Sequence, residues 1–96
     1  MLFIATCVDK PKSLDKRLAN RPAHLDFLKG LGAKVKAGGA ILADDLKTPV
    51  GSMLIFEGDS EADIRTVLAG DPYTLAGLFE SVSVKPWRQA VGTMLA

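Results

Sequence analysis

Residues 51–60 read GSMLIFEGDS. Ser52 to Glu57 is an apolar run of strand length, opened by Gly51 and closed by Gly58-Asp59. Ser60 then stands where a helix begins. Asp63 lies three residues on, a weakened capping box because Glu or Gln is the usual partner. Ile64, Val67 and Leu68 give this helix its apolar face, and Gly70 ends it. The passage from a buried strand straight into a capped helix is the second half of a β-α-β pattern, and the rest of the chain is read outward from it.

Downstream, Asp71-Pro72 has the form of an N-cap followed by proline at the first position of a short helical turn. Phe79 to Lys85 then alternates, with Val82 and Val84 on one face and Ser81, Ser83 and Lys85 on the other, and Pro86 is expected to end this strand. Upstream, Asp44-Asp45 and Lys47-Thr48-Pro49 mark a turn, and Gly38-Gly39 opens a strand over Ala40 to Ala43. Farther back, Ser13 is a candidate cap for a helix in which Leu14, Leu18, Arg21, Leu25 and Leu28 follow 4, 3, 4, 3 spacing. Gly30 and Gly32 end it. Pro22 lies inside that pattern, so a shorter helix beginning near Pro22 remains open. Leu2 to Val8 forms the first strand, with no basic region before it that would mark a leader. The order strand, helix, strand, strand, helix, strand is the ferredoxin-like βαββαβ arrangement of an α+β protein. Right-handed crossovers place both helices on one face of a four-stranded antiparallel sheet.

Leu2 to Ala5 and Met53 to Phe56 are apolar at consecutive positions, where alternation would suffice for a strand with one wet face. Two helices cover one face only. The other is expected to be covered by a second copy, in a homodimer packed sheet to sheet, with further assembly open. A C-terminal tail, Val91 to Ala96, frayed or docked on a partner, is the competing cover.

Ninety-six residues support one domain, residues 1–96. Twelve basic side chains against eleven acidic ones, without a basic cluster, argue against nucleic acid as partner. No apolar run approaches membrane-spanning length, so a soluble, cytoplasmic protein with no membrane partner is expected. One cysteine and one histidine cannot fill a structural metal site, and no glycine-rich phosphate loop is present, so no metal or cofactor is expected. Cys7 is read as a packed thiol inside the first strand.

Chemistry concentrates on the first helix. Arg17, Arg21 and His24 lie at spacings of four and three along one flank of the leucine stripe, a position suited to a cleft between helix and sheet. Neutral imidazole is a capable base near neutrality. Alone, a single histidine beside an apolar stripe is more often structural. Arg17 and Arg21 read either as solvated charges or as anchors for an anionic substrate. Ser52 either ends a turn or presents a hydroxyl, and Tyr73 either fills core or lines a pocket.

Several stretches together, in order and spacing, resemble the YciI-like (YCII-related) family over about residues 1 to 88. They are Asp15-Lys16-Arg17 with Arg21-Pro22-Ala23-His24-Leu25, then Ala37-Gly38-Gly39, Gly51-Ser52, and Asp71-Pro72-Tyr73 through Ala76-Gly77 to Glu80, Val82, Val84, Lys85 and Pro86. The resemblance implies a dimeric α/β-barrel type of ferredoxin-like fold, as in muconolactone isomerase. It also implies an active-site pocket holding a histidine–aspartate pair, which by motif falls on His24 and Asp71. Arg21, Arg17, Ser52 and Tyr73, from the reading of the residues above, are the substrate-binding candidates beside that pair. One branch of the family eliminates chloride from hydroxylated aromatic rings. Where the family has Ala-Gly-Pro, this chain has Ala37-Gly38-Gly39, which loosens the entry loop. Two functions are therefore carried forward. One is a cofactor-free lyase or isomerase that abstracts a proton from a small anionic, aromatic or enolic substrate. The other is a non-catalytic dimer for small-ligand binding or assembly.

Overall fold

The computed structural model describes residues 1–93. Four strands, β1 (Leu2–Asp9), β2 (Val35–Leu42), β3 (Pro49–Glu57) and β4 (Phe79–Trp87), form one sheet in the order β2-β3-β1-β4. Every neighbouring pair is antiparallel. Helix α1 (Leu14–Gly30) connects β1 to β2 through a short 3-10 turn. Helices α2 (Glu61–Ala69) and α3 (Pro72–Leu75) connect β3 to β4. This is the ferredoxin-like α+β fold read from the sequence.

The helix-covered face changes character along the strands. On β1 it presents Phe3, Ala5, Cys7 and Asp9; on β3, running the other way, Phe56, Leu54 and Ser52 face the same side. At the apolar end, Phe3, Ala5, Leu54, Phe56 and Val84 pack with Ile64 and Leu68 of α2. Each such buried aliphatic or aromatic side chain contributes roughly 1.5–3 kcal/mol relative to exposure. At the other end Asp9 and Ser52 require polar partners, since a buried charge is tolerated only when paired. The opposite face carries Ile4, Thr6 and Val8 of β1 across from Ile55, Met53 and Gly51 of β3, so both faces of the central strands are largely apolar.

Several sequence expectations need correction. α1 is one helix with Pro22 inside it, which rejects a start near Pro22. Ser13 precedes α1, but its side chain does not cap it and donates instead to the Pro11 carbonyl. Ser60 and Asp71 do cap their helices, accepting from the backbone N–H of Asp63 and Tyr73. β2 begins at Val35, and the glycine pair lies within it rather than before it. β4 continues through Pro86 to Trp87 because it is an edge strand, where a missing N–H leaves no ladder partner unserved. The leucine stripe of α1 is only partly buried: Leu14 and Leu18 are 38% and 52% exposed and Leu25 and Leu28 are half-buried, while Arg17 and His24 on its flank are buried. The helix turns its polar flank inward, where Asp9 at the end of β1 and Asp71 at the start of α3 supply carboxylates. Of the expected tail, Val91 is exposed and residues 94–96 lie outside the described residues. Among the described residues no helix is long and apolar enough to cross a membrane.

Candidate active site

Asp71 opens α3. Its carboxylate accepts the Tyr73 backbone N–H at 2.9 Å, the cap that starts this short helix. Both of its oxygens also lie 2.9 Å from Nδ1 of His24. The carboxylate is wholly buried and can only accept, so Nδ1 carries the hydrogen and donates it. In the neutral imidazole that assignment leaves a lone pair on Nε2. Nε2 makes no hydrogen bond among the described residues, and His24 lines a cavity of about 260 Å³ between α1 and the sheet.

A second buried pair lies beside the first. Arg17 donates through Nη1 to both oxygens of Asp9, at 3.1 and 3.0 Å, with both side chains 6% exposed. A register shift in the β1–β4 pairing falls between Val8 and Asp9, at the point where Asp9 enters the site. Nη2 of Arg17 donates to Ser52 Oγ at 2.8 Å.

Tyr73 joins the two pairs. Its ring stacks on the His24 imidazole, with centroids 3.9 Å apart and planes 13° from parallel. The Arg17 guanidinium carbon lies 4.9 Å from the centroid of the same ring, a cation–π contact. Phe79 meets Tyr73 edge-on at 6.0 Å. Burial pushes the Tyr73 phenol above its ordinary range, and the Arg17 and Arg21 charges pull against that shift. Behind the site, burial raises the Cys7 thiol to about 12, with the Asp71 and Asp9 charges adding to the effect.

His24, Arg17, Arg21, Ser52 and Tyr73 all line the cavity. Asp71 stands behind His24, outside the lining. Arg21 is exposed and makes no ion pair or hydrogen bond among the described residues. Leu25, Leu28, Val35 and Leu54 supply apolar walls, and Gly38 to Ala40 of β2 complete the lining. A Cβ on Gly38 would come 2.6 Å from Leu54 Cδ2, so glycine there keeps the side chain of Leu54 in place. Sequence reasoning missed Asp9, which reads only as the last residue before a Lys-Pro-Lys break. A signal was available: an arginine buried at this helix position requires a carboxylate within reach. A larger hollow, about 340 Å³, is lined by Val8, Lys10, Leu14, Pro49 and Val50 among others, and the polar network borders it only at Asp9. Among the described residues no group of three or more His, Cys, Asp or Glu side chains is placed to hold a metal ion.

Known proteins share this arrangement of chain. The profile of the YCII-related domain matches residues 1–88. Protein YciI of Escherichia coli O6:H1 (strain CFT073) is 38% identical over 96 residues, covering 93% of this chain and 98% of that protein. An uncharacterised protein of Haemophilus influenzae is 33% identical over the same shares. Among solved structures, the 5-chloro-2-hydroxyhydroquinone dehydrochlorinase of Burkholderia phenoliruptrix, in complex with 2,5-dihydroxybenzoquinone, is 37% identical. It matches with a TM-score of 0.84 over 94% of this chain and 96% of that one. An antibiotic biosynthesis monooxygenase, 18% identical with a TM-score of 0.55 over 95% of this chain and 100% of the other, shares the fold.

Proposed function

The chain belongs to the YCII-related family, and from that premise we propose that it is a small cofactor-independent enzyme of lyase or isomerase type. His24 is the general base and Asp71 the residue that orients it. The observation that carries this reading is the 2.9 Å contact of Nδ1 with both Asp71 oxygens in a histidine that lines the cavity, which occupies Nδ1 and leaves Nε2 as the basic nitrogen of the neutral ring. The similarity to a dehydrochlorinase bound to a dihydroxybenzoquinone supports a hydroxylated aromatic or enolic substrate.

In the proposed step Nε2 takes a proton from a hydroxyl or an activated carbon of the substrate. The electron pair left behind delocalises toward the ring or carbonyl. In an elimination that pair expels a leaving group from the same molecule; in an isomerisation the imidazolium returns the proton to another carbon. Asp71 stabilises the imidazolium while it exists. Arg21, exposed at the cavity and without an ion pair or hydrogen bond among the described residues, draws an anionic substrate toward it. The enzyme acts as a homodimer whose subunits meet through the sheet face that the helices leave bare.

A panel of lactones, chlorinated hydroxyaromatics and enol acids tests the reading. Replacing His24 by Ala is expected to lower turnover of the accepted substrate by about 10²–10⁴-fold. Equal turnover by both proteins would reject the catalytic role and leave a ligand-binding dimer.

A further inference from the structure

We propose that the hydroxyl groups of Ser52 and Tyr73 act together as the donor pair that holds the substrate oxygen on which negative charge develops. This rests on His24 being the base and goes beyond it by assigning the site's electrophilic half.

Ser52 and Tyr73 are each 1% exposed, yet both line the cavity. The Ser52 oxygen accepts from Arg17 at 2.8 Å, and its own O–H has no acceptor among the described residues. A hydrogen bond received from a guanidinium draws electron density from that oxygen and makes its O–H a stronger donor. The Tyr73 hydroxyl likewise makes no hydrogen bond among the described residues. Buried hydroxyls are normally paired. Thr74 Oγ1 is sealed away without a partner among the described residues, whereas Tyr73 lines the cavity.

The charge balance favours developing charge over resident charge. Asp9 neutralises Arg17, so the guanidinium polarises Ser52 without acting as a free anion-binding cation. Two neutral O–H groups gain most when the substrate oxygen becomes anionic, which is the condition for lowering a barrier rather than only binding tightly. As Nε2 takes the proton, the electron pair moves onto that oxygen, and the two hydroxyls donate to it without giving up their hydrogens. The site thus suits substrates whose conjugate base is an enolate or phenolate. Burial, which keeps the Tyr73 phenol protonated, agrees with this role.

Calorimetric titration of the full chain with 2,5-dihydroxybenzoquinone, and with 2,5-dimethoxybenzoquinone as a probe lacking ionisable hydroxyls, tests the pair. Tyr73→Phe keeps the ring that stacks on His24 and removes only the hydroxyl; Ser52→Ala removes the other. Each is expected to weaken binding of the dihydroxy probe by about 10-fold or more while changing the dimethoxy probe little. Unchanged affinity for the dihydroxy probe, equal losses for both probes, or no binding of it by wild type at millimolar concentration overturns the proposal. Should Ser52→Ala fail to fold, Tyr73→Phe decides alone. The base reading fails separately, through turnover retained in His24→Ala, and such a result would leave the hydroxyl titration standing.

Discussion

Asp9 and Arg17 show how much rests on single side chains. Both are 6% exposed, and each is the other's charge partner. Asp9→Ala leaves a buried guanidinium uncompensated, and the expected loss is about 3–5 kcal/mol, read as a lower midpoint in urea unfolding. A loss below about 1 kcal/mol would mean that Arg17 swings out to solvent instead. Cys7 gives a pH signature. Its thiol, ordinarily near 9.0, is raised to about 12 by burial. The unfolded chain therefore releases this proton first as pH rises, and binds fewer protons than the native chain between those values. Stability must fall across that window, by at most about 1.4 kcal/mol per pH unit from this group. Unfolding midpoints compared between wild type and Cys7→Ala from pH 8 to 11 isolate the effect, with the wild type showing the steeper decline. The same burial makes the native thiol slow toward alkylating reagents.

The elements were legible from the sequence to different degrees. β1, β3 and α2 could be read because apolar runs and caps coincide there: Ser60 accepts from Asp63 N–H as its spacing suggests. β2 was read too short because Gly38-Gly39 looks like punctuation, whereas these glycines are strand residues that form the cavity wall. α1 was found, and its polar flank was read as facing a cleft, but the burial was set too far toward the leucines. Leu14 and Leu18 are exposed, and the partners Asp9 and Asp71 turn Arg17 and His24 inward beside Leu25 and Leu28. Of the candidate site, His24 was read from its place on the flank of α1, but its pairing with Asp71 came from family resemblance, since nothing in local spacing links residues 47 apart in sequence. Asp9 escaped because a lone carboxylate at a strand end carries no periodic signal. At this scale Gly38→Ala is the informative change. The added methyl would sit 2.6 Å from Leu54 Cδ2, closer than real contacts, so Leu54 must move. A loss of about 1–3 kcal/mol is expected in thermal or urea unfolding, together with weaker binding of any ligand that fills the cavity.

For the molecule as a whole, the proposed homodimer assigns assembly to the helix-free sheet face. Ile4 and Met53 are half-buried there, and Val8 and Ile41 are exposed. Sedimentation at micromolar concentration is expected to give twice the chain mass for wild type. Ile4→Lys places an ammonium on the middle of that face and is expected to yield single chains that keep the native fold by circular dichroism. A wild-type chain that sediments alone would remove the homodimer from the proposed function.

The pairing of β1 with β4 has a consequence for how the chain matures. Strand β1 finds one of its two neighbours only when residues 79–87 have emerged. Until then a nascent chain carries an apolar strand with an open hydrogen-bonding edge, the kind of edge that recruits other chains. The sheet is therefore complete only once β4 has been made, and that strand acts as its closing piece. A chain stopped before Phe79 would present that open edge permanently and would be handled by the cell as a chaperone client or as aggregate.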